Sequence, residues 1–253
     1  MKLGIVIPAH NEEKRIDKTL KKYSEYFKNL KGEKVLDYEL IVVLNACTDN
    51  TENIVKRYKE NIKILKFEQG GKGFAVREGF EYCLKNNFEM IGFVDADMAT
   101  SPEAFYDLFK NIQEFDGIIA SRYVSGSKVF PKQSWQRIVA SRIFNFLIQI
   151  LFFMRYKDTQ CGAKIFKKHT VDTIIEDLKI TQWAFDVNLL YACKKNKLKL
   201  KESPTIWKDK CYSQLNLKKA GPQMLLSLIR LRLINSPVKW IVKIYDKIFG
   251  NNT

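Results

Sequence analysis

Closely spaced cysteines are missing from this sequence. The five present, Cys47, Cys83, Cys161, Cys193 and Cys211, are scattered and odd in number, with no CxxC pair. That argues against a disulfide framework or a zinc site and fits a reducing cytosol. No run reaches the roughly 20 uninterrupted apolar residues that a spanning helix needs. No signal peptide is expected either, because Met1-Lys2 leads straight into a strand-like segment. The GxxxxGK[ST] loop is absent, and no GxGxxG follows the first strand, which removes both common phosphate-binding loops. Histidine is scarce: His10 and His169 are the two present, and neither lies in a catalytic motif. Internal repeats and low-complexity segments are lacking as well.

Acidic residues are outnumbered. There are 28 Asp+Glu against 43 Lys+Arg, a net charge of +15, which points to nucleic acid, anionic lipid or a phosphorylated substrate as partner. A generally lysine-rich composition accounts for part of this charge. Hydrophobic residues reach 46%, enough for a sizeable buried core and too many for a disordered chain.

What is present is an alternation of short apolar runs and helical patterns. Strands are expected over 3–7 (ended by Pro8), 40–44, 62–67, 90–94 and 117–120. Helices are expected from about Asn11, with Glu12 and Glu13 in the first turn, over 51–58, from the Gly70–Gly73 turn to about Leu84, and from Ser101-Pro102-Glu103. This βαβα order predicts an α/β domain with a mostly parallel sheet flanked by helices. The second half changes character. It reads as a long apolar helix over 138–154, a short strand over 164–166, a helix over 183–193 and an extended stretch over 199–207. Two basic, apolar helices over 222–249 follow, broken at Pro237. The organisation expected is a catalytic domain over 1–210, with an interface helix at 135–155, and basic amphipathic helices over 211–253.

The sharpest local signal is Asp95-Ala96-Asp97, at the end of the fourth strand. Ligands of open α/β sheets bind at the carboxyl ends of strands. Two carboxylates there, two residues apart, can turn towards one ligand. If that ligand is a diphosphate, a divalent cation must lie between, and hard oxygen donors suit Mg²⁺ or Mn²⁺. A solvated loop with helix-capping acids is the competing reading. Pro8-Ala9-His10-Asn11-Glu12-Glu13 has the layout to hold a base and ribose, or else simply stops a strand and caps a helix. Gly70-Gly71-Lys72-Gly73 lets backbone and ammonium approach a phosphate, or is a plain turn.

Taken together, these pieces resemble a GT-A glycosyltransferase of family 2. The matching segments are Val6–Glu13, Thr48-Asp49-Asn50-Thr51, Gly71-Lys72-Gly73, Val94-Asp95-Ala96-Asp97 and Ser121-Arg122-Tyr123, in the family's order. The segments 158–164 and Trp183-Ala184-Phe185-Asp186 are more specific, and resemble dolichyl-phosphate glucosyltransferases and the wider dolichyl-phosphate mannose synthase group. The resemblance implies that Pro8, Ala9 and Glu12 hold the nucleotide; Asn45 and Lys72 are further candidates at that end. Asp95 and Asp97 would face the sugar diphosphate and the metal, with Met98 near a further metal position. One departure is Leu44-Asn45-Ala46-Cys47, where the family usually has Asp-Asp-Gly-Ser; Asn45 still accepts a hydrogen bond but carries no charge.

At the acceptor end, Arg137, Ser141, Asn145 and Gln149 lie four apart and form one polar stripe on an otherwise apolar helix. Such a helix fits a membrane interface or, equally, an internal position with its apolar face in the core. The resemblance favours the interface and implies that Arg122, Arg137 and Ser141 approach the lipid phosphate; Gln160, in the 158–164 segment, is a further candidate. Asp186 falls where relatives place an acid near the acceptor; it orients an arginine or Trp183, or acts as a base if the acceptor is a hydroxyl. Lys239, Lys243 and Lys247 share one face of the last helix, beside the apolar Trp240, Ile241, Ile244 and Ile248.

The expected activity is inverting transfer of a hexose to dolichyl or polyprenyl phosphate. UDP-glucose is the favoured donor and GDP-mannose the second candidate. Mg²⁺ or Mn²⁺ is the expected cofactor, nucleic acid is not an expected partner, and attachment is peripheral on the cytoplasmic face of the membrane. The alternatives are a family 2 enzyme acting on a saccharide hydroxyl, and a non-catalytic basic protein that binds membrane or nucleic acid.

Overall fold

The computed structural model describes residues 1–60, 62–131, 134–179, 183–208 and 217–249. Strands and helices alternate through the first half: β1 (Lys2–Ala9), α1 (Ile16–Gly32), β2 (Asp37–Asn45), α2 (Thr51–Lys56), β3 (Ile62–Phe67), α3 (Lys72–Lys85), β4 (Met90–Val94), α4 (Pro102–Lys110) and β5 (Gly117–Ser121). The second half adds β6 (Lys128–Phe130), α5 (Trp135–Phe152), β7 (Ala163–Lys167), α6 (Lys168–Ile174), α7 (Phe185–Lys195), β8 (Leu200–Pro204), β9 (Ile206–Lys208), α8 (Leu217–Ile234) and α9 (Ile241–Phe249). A 3-10 turn spans Ile175–Asp177.

Seven strands form one sheet in the order β3-β2-β1-β4-β7-β5-β8. It is parallel except at β7, which runs antiparallel to both β4 and β5. β6 and β9 make a separate parallel pair. Because helices cover both faces, the inner strands are apolar throughout rather than alternating. Successive side chains still divide between the faces: Val6 joins one core with Val76 and Phe80 of α3, while Ile5 and Ile7 join another with Leu20, Tyr23 and Phe27 of α1.

Several expected boundaries shift, each for a visible reason. β1 continues through Pro8 to Ala9, because β4 pairs only as far as Val6 and leaves one edge of β1 open where the proline lacks an N–H. α1 begins at Ile16 rather than near Asn11, which adopts a left-handed φ of 54°. Glu12 and Glu13 are used elsewhere, and the acid in the first turn of α1 is Asp17. Pro222 sits inside α8 rather than at its start, where its missing N–H removes one ladder bond. α6 and β6 were not foreseen; both are too short for periodicity to mark. The expected domain boundary at 210/211 and Cys211 lie outside the described residues. The other four cysteines are free thiols.

α5 differs from α1: it turns polar side chains towards the body alongside Ile148 and Phe152, and leaves several large apolar ones outside. Asn145 is buried, and its amide and that of Gln149 donate to the Tyr156 carbonyl at 2.9 and 2.8 Å. Thr159 donates back to the Asn145 oxygen through its N–H and hydroxyl, at 3.3 and 3.1 Å. The polar stripe therefore faces the body, while Trp135, Phe146 and Phe153 are 70%, 60% and 72% exposed. α5 stops at a left-handed Phe153 (φ 52°), and the Lys194 ammonium caps its last carbonyls, those of Phe152 and Phe153. α8 sends Leu228 and Leu231 into the core that contains Ile148 and Phe152 of α5. No helix among the described residues is long and apolar enough to cross a membrane.

Candidate functional site

Three non-glycine residues with left-handed backbone, Asn11, Ala46 and Met98, follow the carboxyl ends of β1, β2 and β4. Such backbone is strained and persists where surrounding contacts fix it. Here the fixing contacts join two loops. The Asn11 side chain accepts from the Thr48 N–H at 2.8 Å, the Glu12 N–H donates to the Thr51 hydroxyl at 2.7 Å, and the Asn50 N–H donates to Glu13 at 3.1 Å. Asn45 is buried. Oriented to satisfy both neighbours, its amide donates to the Ala9 carbonyl (2.8 Å) and accepts from the Gly71 N–H (3.1 Å). It thus ties the end of β1 to the glycine loop. Gly71, at φ 119°, needs to be glycine for that loop to turn into α3.

Lys72, the first residue of α3, is brought by this turn between two carboxylates, 2.8 Å from Asp95 and 3.2 Å from Asp186. Lys164, on β7 and fully buried, lies 2.5 Å from the other oxygen of Asp186 and also donates to the Cys161 carbonyl at 2.7 Å. Acid and base therefore alternate along one line: Asp95, Lys72, Asp186, Lys164. Burial works against the charge of Lys72, but Asp186 and Asp95 outweigh it and hold the ammonium well above the usual lysine range. Burial likewise opposes ionisation of Asp186, yet Lys164 and Lys72 keep its carboxyl below the ordinary value. At Asp95 the balance reverses. Burial, with Asp97 and Asp186 nearby, prevails over Lys72 and lifts the carboxyl above the usual range.

The 158–164 segment closes this cluster from below. The Asp95 N–H donates to the Gly162 carbonyl at 3.1 Å, and a Cβ on Gly162 would fall 1.8 Å from an Asp95 oxygen. Only glycine leaves room for that carboxylate.

Asp97 Oδ1 accepts from the Ala99 N–H at 2.9 Å, which fixes the side chain and leaves its second oxygen. Glu12 is paired with Arg15 at 2.6 Å; burial raises its carboxyl, and the charges of Asp97 and Asp95 add to the rise. Glu12 thus shares the field of the Asp95/Asp97 pair. Met98, next to Asp97, packs into the core. Among the described residues, no three or more His, Cys, Asp or Glu side chains form a ready-made metal cage. A pair of hard carboxylates is the donor set that suits Mg²⁺ or Mn²⁺ when substrate phosphates and water supply the remaining ligands.

On the other side of β7, Arg122 is clamped. Its Nε and Nη2 donate to Asp158 at 2.7 and 2.9 Å, and its backbone N–H adds a third bond of 2.9 Å. The guanidinium lies 5.1 Å from the Trp207 ring and 5.5 Å from Tyr123. The Tyr123 hydroxyl donates to Ser141 of α5 at 3.0 Å, so Ser141 is brought to the end of β5. Arg137 stands one turn earlier on α5, partly buried. The Gln160 side-chain nitrogen is buried with no hydrogen-bond partner among the described residues. The expected residues therefore gather in two groups. Pro8, Ala9, Glu12, Asn45, Lys72, Asp95, Asp97 and Asp186 belong to the strand-end group, and Arg122, Arg137, Ser141 and Gln160 to a second group near α5.

The sequence profile of Glycosyl transferase family 2 matches residues 4–174. A dolichyl-phosphate beta-glucosyltransferase of Dictyostelium discoideum is 32% identical, over 91% of this chain and 73% of that protein. This protein is a family 2 glycosyltransferase. Its human relative, also a dolichyl-phosphate beta-glucosyltransferase, is 28% identical over 82% of this chain and 67% of its own length. Solved structures share the fold at low identity. Glucosyl-3-phosphoglycerate synthase from Mycobacterium tuberculosis, in complex with Mn²⁺, UDP and phosphoglyceric acid, aligns with a TM-score of 0.65 at 15% identity, covering 91% of this chain and 78% of that one. Mannosyl-3-phosphoglycerate synthase from Rubrobacter xylanophilus gives 0.69 at 12% identity, covering 95% and 75%. The transferase thus has a GT-A fold and is dolichyl-phosphate beta-glucosyltransferase-like.

Asp158, Gly162 and Lys164 of the transferase's site fall in the 158–164 segment marked by the resemblance, but sequence alone assigns none of the three a role of its own. Lys164 carried a signal, being a lysine between apolar neighbours on a buried strand. Such a position requires an acidic partner, and Asp186 is that partner.

Proposed function

We propose that this transferase moves glucose from UDP-glucose to dolichyl or another polyprenyl phosphate, at the cytoplasmic face of a membrane. The observation that carries the reading is the exposed apolar face of helix α5. Its outer face is apolar, and its first turns hold Arg137 and Ser141, the latter bonded to Tyr123 next to Arg122. An apolar surface that carries an arginine, Arg137, and the Ser141 hydroxyl suits a phosphate on a long hydrocarbon chain. The names of the relatives supply the sugar and the lipid; UDP is the nucleotide bound in a structural neighbour.

Pro8, Ala9 and Glu12 line the nucleotide end. Asn45 acts indirectly, by holding the Gly71 loop against β1. Asp95 and Asp97 would hold Mg²⁺ or Mn²⁺, which supplies positive charge against the departing nucleoside diphosphate. The acceptor phosphate has its second pKa near 6 and is largely ionised at neutral pH, so no strong base is required. Asp186 is accordingly a positioning residue: clasped by Lys164, it presents Lys72 to Asp95 and to the diphosphate. Arg137, Ser141 and the unpartnered amide of Gln160 orient the acceptor phosphate for direct displacement at the anomeric carbon, with inversion. A hydroxyl acceptor would need a base, and a carboxylate held ionised between two ammonium groups is a poor one.

Transfer of radiolabelled sugar into a mild-acid-labile lipid tests the reading. UDP-glucose, GDP-mannose and UDP-N-acetylglucosamine are offered in turn, with polyprenyl phosphate and Mg²⁺ or Mn²⁺. Label is expected in lipid from UDP-glucose. Label from GDP-mannose alone would change the donor, and label appearing only in a saccharide would replace the acceptor.

A further inference from the structure

A cavity of about 580 Å³ opens between the 3-10 turn, α7 and the α8–α9 pair, and none of the roles above uses its residues. Leu231, Ile234 and Val242 give it apolar walls. Four lysines line it as well: Lys179, Lys195, Lys239 and Lys243. Asp177 is the one acid in the lining, and it is already bonded to Lys195 at 3.1 Å and to Asn196 at 3.3 Å. The other three lysines have no ion-pair partner among the described residues, so the cavity carries uncompensated positive charge. Its α8–α9 wall is fixed by the Arg230–Asp246 pair at 2.7 Å and by the Tyr245 hydroxyl donating to the Leu226 carbonyl at 2.8 Å.

The apolar contribution decides what fits. Trp240 lines the cavity and is 63% exposed, and the nearby Val238 and Ile244 are also exposed. A small soluble anion would meet the lysines but leave this lip in water. An amphiphile with an anionic head uses both, with phosphate among the ammonium groups and acyl carbons against Trp240, a side chain suited to the boundary between lipid and water. We propose that this cavity binds the headgroup of an anionic phospholipid, as a second lipid site separate from the one for the acceptor. The proposal rests on the membrane part of the reading above and is independent of which lipid accepts the sugar.

Co-sedimentation of the full chain with phosphatidylcholine vesicles, with and without phosphatidylglycerol, tests it. With lysines beside anionic lipid worth on the order of a factor of five each, Lys239→Gln/Lys243→Gln should weaken binding to the phosphatidylglycerol vesicles roughly 30-fold. Transfer to detergent-dispersed polyprenyl phosphate should not change, which separates failure here from failure of the proposed reaction. Lys239→Arg/Lys243→Arg should keep the vesicle affinity and so distinguish charge from damage to the fold. Lys21→Gln/Lys28→Gln, which removes the same charge from exposed positions on α1, should have little effect. An equal loss in that pair would mean diffuse attraction and overturn the site. Dihexanoyl phosphatidylglycerol should bind saturably and lose its site in the Gln pair. Inorganic phosphate binding as tightly, or an RNA oligonucleotide displacing the lipid, would overturn the phospholipid assignment.

Discussion

The transferase holds two buried ion networks a few residues apart, and they are built differently. Arg122 and Asp158 form a closed pair: bidentate, with side chains only 12% and 2% exposed, and with the guanidinium close to the Tyr123 and Trp207 rings. Asp95, Lys72, Asp186 and Lys164 form an open row, in which each inner charge has two partners and the outer end, Asp95, is about a third exposed. A closed pair satisfies itself and holds shape. An open row ending in a reachable carboxylate is able to take on a new charge. On the function proposed above, the first group positions elements and the second receives the substrate.

Substitutions should separate the two networks further, beginning with the largest effects. Asp97→Ala should lower transfer by on the order of 10³-fold or more while leaving thermal unfolding close to wild type. Asp158→Asn should act on the fold. Leaving Arg122 buried without its counter-charge should cost about 3–5 kcal/mol in urea unfolding, and unchanged stability would remove the closed pair from its structural role. Lys164→Met and Asp186→Asn should each reduce transfer by roughly 100-fold, mainly through the apparent affinity for nucleotide-sugar. Because they act on one row, the double variant should lose about as much as either single alone in a double-mutant cycle. Arg137→Ala should raise the KM for polyprenyl phosphate about tenfold with little change for the donor.

Acid should also separate the networks. The Asp158 carboxyl is held below its ordinary value: burial opposes ionisation, but Arg122 overcomes it. Its folded pKa is therefore below the unfolded one of about 3.9. The stability it contributes is present above that value and is lost as pH falls through the lowered one. The deficit of Asp158→Asn should thus be full at neutral pH and shrink in acid. Asp95 is shifted the other way, so its ionised form costs stability at neutral pH and the cost fades as pH falls through the raised value. Asp95→Asn should raise the melting temperature at neutral pH while abolishing transfer. A lowered melting temperature would mean that Lys72 depends on Asp95 more than Asp95 is strained by its site.

Sequence carried much of this architecture. Continuous apolar runs marked β1 to β5 because strands covered on both faces need no alternation, and Asp95-Ala96-Asp97 was legible because the end of such a strand is where ligands sit. Other features depend on partners far along the chain. Periodicity found the polar stripe of α5 but not its direction, since two faces four residues apart read the same whichever one meets the protein. What turns the stripe inward is the Tyr156 carbonyl and Thr159, beyond the helix itself. Glu12 and Glu13 resembled helix caps, and only the approach of the 48–51 loop shows them stapling two strand ends together. The role of Lys164 depends on Asp186, on a different helix.

The outward face of α5 has a consequence for the protein in plain buffer. Trp135, Ile143, Phe146 and Phe153 are each more than half exposed. Water is a poor neighbour for such a surface, and copies that meet through it remove it from contact with solvent. The purified chain should therefore sediment as a concentration-dependent mixture of sizes, and should become monodisperse once detergent micelles coat that one helix.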